Sequence, residues 1–215
     1  MKYKNILFDL DGTITDSSPG IINSYLYSLN KIGLSETDIE RLKSYIGSPL
    51  RAYYTERHNL NTEESDIAVK FFREHYAEIG LFENNVYPNL DNLLPELQEA
   101  GHKLFIATSK PLEFAIKVLS HFDLKEYFNS IHGSDMSADN KAKDKLITDA
   151  IIMNGLNKNE SIMVGDRYHD IKGAKINGID SIAVTYGYGS IEELKKEEPT
   201  FFAENAENLK AILLA

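Results

Sequence analysis

The sequence contains no cysteine among its 215 residues. Disulfide bonds, thiolate catalysis and cysteine-based metal sites are therefore excluded, and any metal must be bound by carboxylates, carbonyl oxygens or histidines. Basic residues are also scarce, with 23 lysines and arginines against 33 acidic residues, and the formal net charge is −10. This charge opposes binding to nucleic acid or to an anionic membrane, while still allowing a local basic pocket for one phosphate group.

Long hydrophobic runs are absent as well. No stretch approaches the roughly 20 apolar residues that a membrane-spanning helix requires. The N-terminus passes directly into an apolar run with two aspartates, which a secretory or transit signal would not tolerate. We therefore expect a soluble, cytoplasmic protein without nucleic-acid or membrane partners, built as one core domain with a smaller insertion.

The order of the hydrophobic patterns predicts an α/β fold. Residues Tyr3–Leu10 form an apolar run typical of a buried strand, and Asp11-Gly12-Thr13 forces a turn after it. From about residue 21 to residue 80 the apolar residues repeat at helical spacing instead. After Pro88, helices and strands alternate, which indicates crossover connections and a parallel, Rossmann-like sheet.

The pattern also predicts the bounds of the elements and domains. The strands expected after the insertion are 103–108, 130–132, 161–164, 181–184 and 200–202. The helices expected there are 90–100, 112–122, 144–154, 171–177 and 209–214. The predicted α/β core comprises 1–15 and 86–215, and the predicted helical insertion comprises 16–85.

Polar residues follow four of the predicted strands. In chain order they are Asp9 with Asp11, Thr108-Ser109-Lys110, His132-Gly133-Ser134-Asp135, and Gly165-Asp166 with Asp170. Because ligands bind at the carboxyl ends of parallel strands, we expect these groups to converge. Several carboxylates beside one lysine are tolerable only if a metal neutralises them or some are protonated. Carboxylate ligands favour a hard cation such as magnesium.

Asp9 and Asp11 stand two residues apart, which on an ideal strand places both carboxylates on one face. One carboxylate can attack phosphorus while the other protonates the leaving oxygen and later deprotonates water. The alternative is a solvated turn, since aspartate and glycine are common turn residues. A calcium-binding EF-hand does not fit, because Thr13 and Ile14 stand where it needs a ligand and a glycine.

The remaining polar segments each have a functional and a structural interpretation. Thr108-Ser109-Lys110-Pro111 can bind phosphate at a helix N-terminus or simply cap that helix. One of the three lysines Lys141, Lys143 and Lys145 can complete a phosphate site. We choose Lys143, because it lies at the start of a predicted helix. Asp166 follows a buried run, where an unpaired carboxylate is costly, and Asp170 can cap the next helix.

Taken in order, these segments resemble the haloacid dehalogenase superfamily, specifically its phosphatases with a helical cap after the first strand. The resemblance extends over essentially the whole chain. It implies Asp9 as nucleophile, Asp11 as general acid and base, and phosphate binding by Thr108, Ser109 and Lys143. It further implies a magnesium site formed by Asp9, the Leu10 carbonyl, Asp11 and Asp166, with Asp170 in support.

Within the superfamily the chain resembles the phosphoglycolate phosphatase branch and bacterial proteins grouped there as 5′-nucleotidases. The resemblance depends on Ile46-Gly47-Ser48-Pro49-Leu50, Thr108-Ser109-Lys110-Pro111 and Gly187-Tyr188-Gly189. Many relatives follow the motif lysine with proline, whereas Asp144 follows Lys143, so Lys141 stays an alternative. Asp11 argues against a dehalogenase, because those relatives lack the second aspartate.

The resemblance implies a magnesium-dependent phosphatase that forms an aspartyl phosphate and acts on a small phosphorylated metabolite. The substrate would be phosphoglycolate-like or a nucleoside monophosphate, with Arg51 of the cap as a candidate contact. A monomer or weak homodimer is expected. A phosphomutase and a non-enzymatic phospho-receiver are the alternatives, while a dinucleotide-binding dehydrogenase lacks the Gly-x-Gly-x-x-Gly turn that it would need.

Overall fold

The structure is a computed structural model that describes residues 2–47, 50–135 and 142–215. It divides into two compact units. The first, the α/β unit, comprises Met1–Asp16 and Val86–Ala215, and the second, the helical unit, comprises Ser17–Asn85. The insertion therefore follows the first strand of the α/β unit in the chain.

The described residues form eight strands. They are β1 (Asn5–Phe8), β2 (Thr15–Asp16), β3 (Asn85–Val86), β4 (Lys103–Pro111), β5 (Ser130–Ser134), β6 (Ser161–Gly165), β7 (Asp180–Val184) and β8 (Phe201–Ala203). Six of them form one parallel sheet in the order β5-β4-β1-β6-β7-β8. The predicted parallel-sheet α/β fold is confirmed.

The described residues also form ten α-helices. They are α1 (Ser18–Lys31), α2 (Ile39–Ser44), α3 (Leu50–His58), α4 (Thr62–His75), α5 (Leu90–Glu99), α6 (Leu112–His121), α7 (Lys143–Asn154), α8 (Tyr168–Asn177), α9 (Ile191–Lys196) and α10 (Ala206–Leu213). Helix α3 was not predicted, because only Tyr53 and Tyr54 of its nine residues are buried and its apolar periodicity is weak. A π-helical turn, Tyr76–Gly80, follows α4.

Strand β1 lies inside the sheet, between β4 and β6. Its apolar residues Ile6, Leu7 and Phe8 are fully buried, as expected for a strand covered on both faces. Leu7 belongs to a core cluster that extends over β4, α7, β6 and α8: Leu7, Phe105, Ala107, Ile147, Ala150, Ile151, Met163, Ala174 and Ile179. This packing holds β1 in the sheet, and Asp9 is the residue that directly follows it.

The helical unit has an aromatic core. The ring centroid of Tyr25 on α1 lies 4.5 Å from that of Tyr53, 5.6 Å from that of Tyr54 and 4.8 Å from that of Phe72. Burial raises the pKa of the Tyr25 and Tyr54 hydroxyls above the ordinary range. Both tyrosine hydroxyls therefore stay protonated and neutral in this core.

Candidate active site

A buried acidic cluster lies at the carboxyl ends of β1 and β6. It comprises Asp9, directly after β1, Asp166, directly after β6, and Asp170, in the first turn of α8. Carboxylate oxygens of the three residues lie within 4.8 Å of one another, and all three residues are buried. The predicted strand ends thus bring these three carboxylates together.

Lys143, the first residue of α7, supplies a positive charge to this cluster. Its Nζ lies 2.7 Å from Asp9 Oδ2 and 2.9 Å from Asp170 Oδ1, and it donates a 3.1 Å hydrogen bond to the Ala107 carbonyl. Burial alone would lower the pKa of Lys143, but the charges of Asp170 and Asp9 outweigh that effect and raise it. Lys143 is therefore a permanent cation beside Asp9.

One lysine does not balance three carboxylates. Burial raises the pKa of Asp166 well above its ordinary value, and the nearby charges of Asp170 and Asp9 raise it further. Burial likewise raises the pKa of Asp170, although Lys143 opposes this shift. The excess negative charge and the oxygen-only donor set fit a hard divalent cation such as magnesium, which would relieve both effects.

The carboxylate of Asp166 is held from two sides. Thr13 donates its hydroxyl to Oδ1 at 3.2 Å, and the backbone N–H of Tyr188 donates to Oδ2 at 2.8 Å. The loop after β7 approaches so closely that a Cβ at Gly187 would lie 2.3 Å from the Cβ of Asp166. In the sequence, Gly187-Tyr188-Gly189 indicates only the family resemblance and does not predict the contact of this loop with Asp166.

Asp11 has a different partner from Asp9. Both of its carboxylate oxygens accept hydrogen bonds from Nζ of Lys110, at 3.0 Å and 2.8 Å. The Lys110 side chain is only 3% exposed, whereas the Asp11 side chain is 20% exposed. The motif around Lys110 did not predict this pair, which becomes visible only in the structure.

The Leu10 carbonyl, an expected metal ligand, accepts hydrogen bonds within the turn after β1. Its oxygen accepts backbone N–H groups from Thr13 at 3.2 Å, Ile14 at 2.9 Å and Thr15 at 3.0 Å. A carbonyl oxygen has two lone pairs, and the turn after β1 already engages them. A metal bound to this oxygen would therefore compete with the hydrogen bonds of the turn.

The two predicted phosphate ligands on β4 lie at its carboxyl end. Thr108 is buried, and its Oγ1 accepts a 3.2 Å hydrogen bond from the backbone N–H of Lys110. The carbonyl of Ser109 accepts a 2.7 Å hydrogen bond from the Ser134 hydroxyl of the adjacent strand β5. These bonds hold the last residues of β4, which lead directly into α6.

Two further candidates from the sequence are Arg51 and Lys141. Arg51 belongs to α3 of the helical unit, where its guanidinium pairs with the Asp66 carboxylate and both side chains are about half exposed. Lys141, the alternative to Lys143, lies outside the described residues, as do Ser48 and Pro49.

None of the described helices has the length and apolar character that crossing a membrane would require.

The fold and the site together define an α/β protein with a buried acidic cluster at the carboxyl edge of its parallel sheet. The model of the haloacid dehalogenase-like hydrolase family matches residues 6–184, and the chain therefore belongs to that family.

Similar proteins include a 5′-nucleotidase and a phosphoglycolate phosphatase. The chain is 38% identical to a 5′-nucleotidase of Pseudomonas aeruginosa, over 99% of this chain and 96% of the relative. It is 28% identical to a phosphoglycolate phosphatase of Aliivibrio fischeri, over 98% of this chain and 96% of the relative. A crystal structure of a predicted phosphatase from Clostridium acetobutylicum is 38% identical, with a TM-score of 0.91 and coverage of 100% and 99%. The chain is thus a family phosphatase, a phosphoric monoester hydrolase.

Proposed function

We propose that this enzyme is a magnesium-dependent phosphatase that removes phosphate from a small metabolite through an aspartyl-phosphate intermediate. The observation that carries the proposal is the position of Asp9, whose Oδ2 lies 2.7 Å from Lys143 and whose Oδ1 accepts a 2.7 Å bond from the Leu10 N–H. Two donors thus orient one buried carboxylate at a strand end. A carboxylate held in this way is suited to in-line attack on phosphorus.

The first step transfers the phosphoryl group to the enzyme. An oxygen of Asp9 forms a bond to phosphorus while the bond from phosphorus to the leaving oxygen breaks, and Asp11 gives its proton to that oxygen. Lys143, with Thr108 and Ser109, would offset charge on the phosphoryl oxygens. In the second step a water oxygen attacks phosphorus, Asp11 accepts the water proton, and the bond to Asp9 breaks.

The metal would be held by Asp9 and Asp166, with Asp170 supporting the site through Lys143. Asp11 and the Leu10 carbonyl complete the proposed ligand set, and the Asp11 carboxylate would have to share its oxygens with Lys110. The bound ion supplies electrostatic stabilisation of the negatively charged phosphoryl oxygens. The support for this assignment is the excess negative charge of the acidic cluster. Among the described contacts, Lys143 is the one cation that forms ion pairs with carboxylates of this cluster.

The substrate is proposed to be phosphoglycolate-like or a nucleoside monophosphate, in line with the names of the two curated relatives. The helical unit is proposed as a cap domain, and Arg51 as a contact for a carboxylate or second polar group. Arg51 would then exchange Asp66 for that group. A cytoplasmic monomer or weak homodimer completes the proposal.

The test is phosphate release from phosphoglycolate, nucleoside monophosphates and sugar phosphates, with magnesium or with a chelator. Asp9→Asn should lower turnover by at least about 10³-fold, since it removes the nucleophile. Asp91→Asn, which neutralises an exposed aspartate on α5, is the matched control and should retain full activity. The preferred ester would decide between the phosphoglycolate and nucleotide readings.

Full activity of Asp9→Asn would overturn the mechanism, and equal activity in chelator would overturn the metal requirement. Phosphorylation of Asp9 without release of phosphate would instead favour a phosphomutase or a phospho-receiver. A phosphomutase would move the label to a second position of its substrate, whereas a receiver would be labelled once and show no turnover.

A further inference from the structure

The pair formed by Lys110 and Asp11 is separate from the buried acidic cluster and its lysine. Lys110 lies on β4 and Asp11 lies in the turn after β1, and these two strands are adjacent in the sheet. Nζ of Lys110 contacts both Asp11 oxygens, at 2.8 Å and 3.0 Å. Two aspartates two residues apart thus have two different lysines, Lys143 for Asp9 and Lys110 for Asp11.

A purely structural purpose does not account for this pair. Taking a lysine out of water is costly, and a buried ion pair seldom stabilises a fold more than a well-packed apolar pair would. Lys110 nevertheless has an almost fully buried side chain, while Asp11 keeps 20% of its side chain exposed. The more exposed partner is therefore the Asp11 carboxylate, and the buried Lys110 side chain contacts it from the protein interior.

We propose that Lys110 is a positioning residue for the proton transfers of Asp11; the inference rests on the proposed function, in which Asp11 is the general acid and base. An aspartate side chain in a turn can rotate about two torsions, and contacts to both oxygens restrict that rotation. Once Asp11 has given its proton to the leaving oxygen, it is the carboxylate that Lys110 binds. Lys110 itself touches neither phosphorus nor the leaving oxygen.

This role has a signature that depends on the leaving group. An alkoxide must be protonated as it leaves phosphorus, whereas nitrophenolate leaves without a proton. Loss of the positioning residue should therefore slow the cleavage of an alkyl phosphate far more than the cleavage of p-nitrophenyl phosphate. A lysine that bound the phosphoryl group would affect both esters equally, because both carry the same phosphate.

The experiment compares the wild type with Lys110→Met on glycerol phosphate and on p-nitrophenyl phosphate. The quantity measured is the rate of leaving-group release in the first turnover, which excludes the later hydrolysis of the aspartyl phosphate. We expect a decrease of about 100-fold for glycerol phosphate, the lower end of the range for general acid catalysis. For p-nitrophenyl phosphate we expect a decrease of less than about 5-fold, with KM changed little for either ester.

Three further variants sharpen the comparison. Lys103→Met, an exposed lysine on the same strand, should behave as the wild type on both esters. Lys110→Arg keeps a cationic donor and should recover part of the loss on glycerol phosphate, and it also serves if Lys110→Met does not fold. In the double variant with Asp11→Asn, adding Lys110→Met should cause little further loss, because a positioning residue has no effect without its target.

Equal losses on the two esters, or losses that multiply in the double variant, would overturn the inference. So would a rise in KM alone, which would place Lys110 on the substrate. Failure of the proposed function has a different appearance: wild-type enzyme without turnover, or Asp9→Asn with full turnover. The two failures are thus distinguished within one set of measurements.

Discussion

Both units of this molecule bury hydroxyl groups, but among the described residues the buried charged residues all belong to the α/β unit. The α/β unit buries charges at the end of its sheet, as in Asp9, Lys143 and Asp166. The helical unit buries hydroxyl groups, as in Ser28 and Tyr54, and each of its described ion pairs keeps at least one exposed partner, as in Arg51 with Asp66.

The difference separates stability from chemistry. A hydroxyl that finds one partner can be buried at little cost, and such a bond contributes about 1 kcal/mol to stability. A charge is far more expensive to bury, and an apolar replacement of equal volume often stabilises a protein. Buried charges therefore indicate a site that is kept for its chemistry, while buried hydroxyls indicate ordinary packing with satisfied hydrogen bonds.

The largest effect that would sharpen this comparison is expected for Lys143→Met. Without the lysine, Asp9 and Asp170 stay buried without their cation, and we expect a loss of about 3–5 kcal/mol in the free energy of unfolding. The catalytic rate should fall by about 10²–10³-fold through loss of charge stabilisation. Denaturant unfolding in the absence of magnesium and steady-state phosphate release measure the two quantities.

Lys145→Met is the matched control, because Lys145 is an exposed lysine two residues further along α7. It should leave both the stability and the rate within error of the wild type. If Lys143→Met were as stable as this control, the acidic cluster would not depend on its lysine, and the contrast between the units would disappear.

A smaller effect, confined to stability, is expected for Tyr54→Phe in the helical unit. Ser28 donates its hydroxyl to the Tyr25 carbonyl at 2.7 Å, so the Tyr54 hydroxyl is the donor in the 2.5 Å contact with Ser28 Oγ. Removing that donor should lower the free energy of unfolding by about 1 kcal/mol. The rate at saturating substrate should not change.

Tyr27→Phe, whose hydroxyl donates to Glu74 at the surface, is the comparison variant and should change stability by less than about 0.5 kcal/mol. A marked loss of turnover in Tyr54→Phe at unchanged stability would show that the buried hydroxyls also serve the chemistry. That result would contradict the distinction between buried charges that serve chemistry and buried hydroxyls that serve packing.

The smallest effect concerns His102, a titratable group that the α/β unit buries in its neutral form. Its Nδ1 donates to the Tyr3 carbonyl at 2.7 Å, and its Nε2 has no hydrogen-bond partner among the described residues. Burial lowers the pKa of His102, so the unfolded chain binds a proton before the folded protein does. Stability should therefore fall as the pH falls below about 6.5, the value for an unfolded chain.

The measurement is the difference in unfolding free energy between the wild type and His102→Gln, from pH 8 down to pH 5. Other histidines and the acidic cluster contribute equally to both proteins and cancel in this difference. The advantage of the wild type should shrink as the pH falls. A difference that stayed constant would show that His102 remains neutral, or is protonated equally, in both states.

Much of the fold could be predicted from the sequence, because parallel strands leave continuous apolar runs. Ile6, Leu7 and Phe8 indicate β1, and the run before Asp166 indicates β6. The rule that ligands bind at the carboxyl ends of such strands then brings Asp9 and Asp166 together without knowledge of any distance.

The contacts within the site could not be predicted in the same way. The pairing of Lys110 with Asp11 joins residues 99 apart in the chain and depends on which strands are neighbours. The hydrogen bonds that the Leu10 carbonyl accepts from the turn after β1 could not be predicted either, because they depend on backbone angles that the sequence pattern does not specify. The three residues of Gly187-Tyr188-Gly189 show their purpose only when the loop lies against Asp166.

The pairing of β1 has a consequence for how the protein is made. Asn5 lies beside Lys103 on one side and beside Ser161 on the other, so β1 is synthesised about 100 and about 155 residues before its two neighbours. Closing such long loops is entropically unfavourable and slows folding. The helical unit is complete in the chain before either neighbour exists. During synthesis, the strand that precedes Asp9 is therefore an unpaired apolar segment, accessible to chaperones until β4 and β6 enclose it.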